Sequence, residues 1–138
     1  MNLNLDDALQ TFIVESRELL QEMESALLQV DARHSDPELI NAIFRAAHTI
    51  KGSAGLFGLD HIVAFTHVAE TVLDRVRDQE LALDDNLSAL LLQVCDHLGV
   101  LLDYLSRHQQ PDEAVQIQLQ ALATELEGYQ GEVSAAVC

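Results

Sequence analysis

His48 and Lys51 stand one helical turn apart in the run Ala46-Ala47-His48-Thr49-Ile50-Lys51-Gly52-Ser53-Ala54-Gly55. Lys51 is the only lysine of the chain, so the one ammonium of an acidic protein lies beside one particular imidazole. A neutral imidazole attacks with a ring-nitrogen lone pair, and a compact cation beside it can offset the charge of a group in transfer. Gly52 and Gly55 follow, and a glycine inside a helix costs about 1 kcal/mol relative to alanine. Two of them in a periodic segment imply that something needs clearance there. The pattern points to His48 as a nucleophile that carries a phosphoryl group where a bulky partner can reach it.

Five helical segments must position these residues. The first runs from about residue 4 to 30, with Leu9, Phe12, Ile13, Leu19, Leu20, Met23, Leu27 and Val30 on one stripe. Residues 31–35 break it. Asp36-Pro37-Glu38 then reads as an N-cap, a proline at the first helical position and an acid in the first turn. The second helix carries Ile40, Ile43, Ala47, Ile50, Ala54 and Phe57, three and four apart, and Gly58 ends it. Asp60 is the expected cap of the third helix, whose apolar face is Ile62, Phe65, Ala69, Val72 and Val76. Asp84 caps a leucine-rich fourth helix through Leu105, and Pro111 opens a shorter fifth through Glu127. Amphipathic helices with short connections predict an all-α fold, an antiparallel up-down four-helix bundle with an additional C-terminal helix. The bundle is expected over 1–128, with 129–138 a flexible tail or the start of a linker.

At about 100° per residue, His48 points roughly 140° away from the core stripe of its helix. Lys51, Gly52 and Gly55 fall within about 60° of it. The second and third helices meet at a tight turn near Gly58 and Leu59, and pairing across that turn sets His48 opposite residue 69. Within one turn of that level stand His67 and Glu70. A carboxylate that accepts the imidazole N–H would fix the tautomer, which makes Glu70 the expected partner of His48. His67 is a supporting residue, either a donor to the phosphoryl group or a modulator of local charge. His34, His61, His97 and His108 have no comparable neighbours.

Composition narrows the classes. A net charge of −16 repels a phosphate backbone and anionic lipid, so neither nucleic acid nor membrane is an expected partner. Hydrophobic residues make up 49% of the chain, enough for one folded core. Cys95 and Cys138 lack metal-ligand spacing and read as reduced thiols of a cytosolic protein. No apolar stretch is expected to reach the length of a membrane span, and the acidic N-terminal segment is unlike a signal peptide. Two other functions suit parts of the pattern. His48, His67 and Glu70 could bind zinc from two helices, although Lys51 would place a cation beside the metal. A plain interaction bundle would leave the paired glycines unexplained.

The run His48-Thr49-Ile50-Lys51-Gly52-Ser53-Ala54-Gly55-Leu56-Phe57-Gly58 strongly resembles the phosphotransfer (HPt) domain at the N-terminus of CheA-type chemotaxis histidine kinases. The likeness extends upstream through Asn41 to Ala47, downstream through Thr66-His67, Glu70 and Leu73-Asp74, and to the opening Phe12…Glu15…Glu18-Leu19-Leu20. Ser53 departs from it, since glycine is common there. The resemblance implies that His48 is phosphorylated by the ATP-binding catalytic domain of the kinase. It implies that His48 then passes the group to an aspartate of a response-regulator receiver domain of the CheY or CheB type. Lys51, His67 and Glu70 match the family's supporting positions. No nucleotide-binding loop is evident, so ATP and Mg²⁺ are expected on partner domains and no cofactor on this chain. The likeness and the linker-like tail favour an excised, monomeric domain over a stand-alone relay protein.

Overall fold

The computed structural model describes residues 2–30 and 36–129. Among these residues five helices follow one another: α1 (Asn2–Gln29), α2 (Pro37–Leu56), α3 (Asp60–Arg77), α4 (Asp85–Ser106) and α5 (Glu113–Glu127). No strand occurs among the described residues. Going round the bundle, α1 packs on α2 and on α4, and α2 packs on α3. Direct contact between α3 and α4 is the slightest, and α5 covers the seam between them. The pairs α1/α3 and α2/α4 stand on the diagonals, without close backbone approach. The core is one cluster in which Met23, Ile43, Ile50, Leu73, Leu87, Leu91, Leu98 and Leu102 are fully buried. Leu122 and Leu126 bring α5 into it, each contributing roughly 1.5–3 kcal/mol relative to exposure.

Helix ends follow local chemistry. The Asp36 carboxylate accepts from the Glu38 amide at 2.9 Å, with Pro37 at the first helical position. Asp84 caps α4 through the Leu87 amide at 2.9 Å. Two starts differ from the sequence expectation. At α3 the N-cap is Leu59, without a side-chain bond, and Asp60 is the first helical residue. The tight closure of α2 fixes the backbone at Leu59, and Asp60 acts through its charge on the first-turn amides instead. At α5 the cap is Asp112, whose carboxylate accepts from the Val115 amide at 3.0 Å; Pro111 lies before the helix rather than in its first turn.

Three helices end in the same way. The Leu59 amide bonds the Ala54 carbonyl and the Gly58 amide bonds the Gly55 carbonyl, with Gly58 left-handed at φ 66°. This is a Schellman closure, and glycine meets its positive φ at no steric cost. Gln79 (φ 65°) and His108 (φ 55°) occupy the same position at the ends of α3 and α4, through Glu80–Arg75 and Gln109–Tyr104 backbone bonds. Packing continues to Tyr129, half-buried against the core, whose carbonyl accepts from Arg75 at 2.6 Å. The break at 31–35, His34 and the tail 130–138 lie outside the described residues.

The α4 helix is, by length and composition, long and apolar enough to cross a membrane, against the expectation that no stretch would be. Its apolar side chains serve the bundle: Leu87, Leu90, Leu91, Val94, Leu98, Leu101 and Leu102 are all buried inside it.

Candidate functional site

The α2/α3 hairpin builds the site. Its Schellman turn at Gly58 fixes the register, so that His48 on α2 meets Glu70 on α3, one residue from the level read off the sequence. His48 Nδ1 is hydrogen-bonded to Glu70 Oε2. Lys51 Nζ lies 2.5 Å from Glu70 Oε1, and that oxygen has no other polar partner among the described residues. One carboxylate therefore spans the imidazole and the ammonium. The imidazole side chain is 61% exposed, while Glu70 is 10% and Lys51 24% exposed. The sequence placed Glu70 on the polar face of α3. Instead it is buried against α2, where an unpaired charge would be costly.

Burial pushes the Glu70 carboxyl up, but bonding and charge from Lys51 and His48 outweigh it and hold the group below its usual value of 4.5. Glu70 is therefore an ionised acceptor at neutral pH. A carboxylate can only accept, so Nδ1 carries the proton of the neutral ring and Nε2 keeps its lone pair. The exposed edge of His48 is thus nucleophilic, and a positive charge arising on the ring would face a buried anion.

Gly52 and Gly55 are exposed on the His48 face, and a methyl built on either would meet no neighbour within 4 Å. Close packing inside the bundle does not require them. His67 is exposed one turn before Glu70, and its ring makes no hydrogen bond or ion pair with the other three site residues. The structure thus brings together His48, Lys51 and Glu70, and leaves His67 at the rim. Among the described residues no three His, Cys, Asp or Glu side chains converge as a metal-binding set, so the zinc alternative lacks its geometry. Among the remaining histidines, His61 stands in the first turn of α3, the His97 ring bonds the Gln93 carbonyl on α4, and His108 follows the end of α4.

Sequence reasoning missed two neighbours. The Phe44 ring is parallel to the His48 imidazole, with 8° between planes and centroids 5.9 Å apart. The Arg77 guanidinium carbon lies 3.9 Å from the Phe44 centroid, and Arg77 also bonds Asp74 at 2.8 Å. Phe44 could have been found: it is four residues before His48, hence on the same helix face, and off the core stripe. Arg77 could not, because only the folded hairpin brings the end of α3 to Phe44.

A family model described as the Hpt domain matches residues 7–132. The chain belongs to the Hpt domain family. This Hpt domain is 40% identical over 114 residues to the chemotaxis protein CheA of Salmonella typhimurium, covering 83% of this chain and 17% of that protein. It is 42% identical over 97 residues to CheA of Rhizobium meliloti, covering 70% of this chain and 13% of the relative. The chain thus spans less than a fifth of the length of either relative. Among solved structures it is similar to the phosphorylated P1 domain of CheA3 in complex with CheY6 from R. sphaeroides. That match has a TM-score of 0.73 and 25% identity, and covers 88% of this chain and 98% of that one.

Proposed function

We propose that this Hpt domain is a phosphorelay intermediate of bacterial chemotaxis two-component signalling. His48 accepts a phosphoryl group from ATP held on a CheA-type kinase catalytic domain and passes it to an aspartate of a CheY- or CheB-type receiver. The observation that carries this reading is an exposed imidazole whose inner nitrogen is held by a buried carboxylate already paired to the only lysine. The CheA relatives and the likeness to a phosphorylated P1 domain bound to CheY6 support it.

In the first step the Nε2 lone pair attacks the γ-phosphorus, an N–P bond forms, and the bond to the β-phosphate oxygen breaks with its electron pair leaving on ADP. The ring keeps its Nδ1 proton and becomes cationic, and Glu70 stabilises that cation. Lys51 offsets phosphoryl charge, and His67 supports it from the rim. The receiver aspartate then displaces phosphorus from Nε2, which returns the neutral imidazole. Gly52 and Gly55 leave the approach open. ATP and Mg²⁺ belong to the partner domains, since phosphoryl transfer needs the ion beside the nucleotide or the acceptor aspartate. The domain acts as a cytoplasmic monomer without insertion into a membrane.

The test is incubation with ATP, Mg²⁺ and the catalytic portion of a CheA-type kinase. Acid-labile, base-stable phosphate that is absent from His48→Gln and chases onto a receiver domain is the expected result. No label with several active kinases would overturn the reading.

A further inference from the structure

The Glu70 bond fixes which edge of the His48 ring faces inward, but alone it leaves an exposed ring free to swing about that contact. The Nε2 lone pair lies in the ring plane, so the plane sets the direction of attack. Phe44 supplies the missing constraint, a parallel face on the same helix at stacking distance. Phe44 is itself only half-buried, on the outer flank of α2. The Arg77 guanidinium carbon lies over that ring from α3, and Asp74 holds Arg77 there.

We propose that Phe44 and Arg77 are positioning residues for His48: Arg77 pins the Phe44 ring, and that ring fixes the plane in which Nε2 is presented. This deepens the phosphorelay reading and rests on it for its kinetic consequence. The Asp74–Arg77–Phe44–His48 series spans both helices of the hairpin, so the aim of the nucleophile is built from α3 as well as α2.

Three variants test it. Phe44→Leu removes the stacking face, and Arg77→Gln removes the pin at a side chain that is 40% exposed. Arg77→Lys keeps the charge and loses the flat group. The first readout is the nuclear magnetic resonance of the His48 ring in the unphosphorylated chain. Wild type should show a protonated Nδ1, a bare Nε2 and ring-current shifts from Phe44. Phe44→Leu should abolish those shifts and both Arg77 variants should reduce them, while Nδ1 stays protonated in all three because the Glu70 bond is intact. The second readout is single-turnover phosphorylation at saturating kinase, which should fall about three- to tenfold, the size of a lost aromatic contact. The half-saturating kinase concentration should not move.

Unchanged ring signals and rates in Arg77→Gln would overturn the proposal. So would a loss confined to the half-saturating concentration, which would assign these residues to docking. If wild type itself takes no label, the relay reading fails, while the ring signals still decide the positioning role.

Discussion

Replacing Gly52 and Gly55 by alanine should make this domain more stable and a worse relay. Neither Cβ would meet an atom within 4 Å, so no clash opposes the gain in helix propensity. That gain is roughly 0.8–1 kcal/mol per site, and the two methyls, three residues apart, do not collide. The double variant should therefore gain about 1.5–2 kcal/mol, or roughly 5–10 °C in melting temperature for a domain of this size. Thermal unfolding followed by far-ultraviolet circular dichroism measures it. The same methyls stand on the His48 face, which the relay proposal assigns to the partner, and a displacement of about 1 Å at a reacting centre can cost on the order of 100-fold. Phosphorylation by the kinase and transfer to a receiver should slow by about 10- to 100-fold. Gly99→Ala is the control, because its Cβ is equally free but lies on α4, diagonal to α2. It should raise the melting temperature and leave transfer intact. A lower melting temperature in the double variant would refute the packing argument, and unchanged transfer rates would refute the role in partner access.

Other consequences can be checked in parallel. Glu70→Gln should slow phosphorylation about 10- to 150-fold, the value of a hydrogen bond to a charged group. Because folding lowers the Glu70 carboxyl from 4.5, its ionisation stabilises the fold fully above that pH and progressively less as pH falls through the folded value. The stability gap between wild type and Glu70→Gln in urea titrations should accordingly be widest near neutrality and close in acid. Gln79→Gly, which relieves a left-handed residue at the end of α3, should stabilise by about 1 kcal/mol in the same titration. Cys95 is buried, and burial with the nearby Glu24 and Asp96 charges pushes its thiol up to about 12. It should resist iodoacetamide at neutral pH until denaturant is added, and rapid native labelling at Cys95, separated from Cys138 by peptide mapping, would contradict that burial.

Much of this was legible in the sequence because it is local. Asp36 and Asp84 are caps that act within three residues, and Gly58 marks a turn whose shortness forces the antiparallel register of His48 and Glu70. What stayed hidden depends on tertiary context. Gln79 and His108 adopt left-handed turns without the glycine that usually announces them, because the closing backbone bonds outweigh the strain. An acid on a polar face looks solvated until a neighbouring helix supplies an ammonium and an imidazole, which is why the burial of Glu70 could not be read. Arg77 sits 33 residues after Phe44, and no periodicity links positions on different helices.

That the sole lysine of the chain is also the ammonium paired to Glu70 turns general amine chemistry into site chemistry. Apart from the α-amine, any reagent that consumes amines addresses this one contact. Acetylation would delete the positive charge, whereas reductive methylation would keep it and add bulk. A single amine thus allows charge and size to be varied separately without mutagenesis, and an isotopically labelled methyl group there would report on the carboxylate from one uncrowded signal.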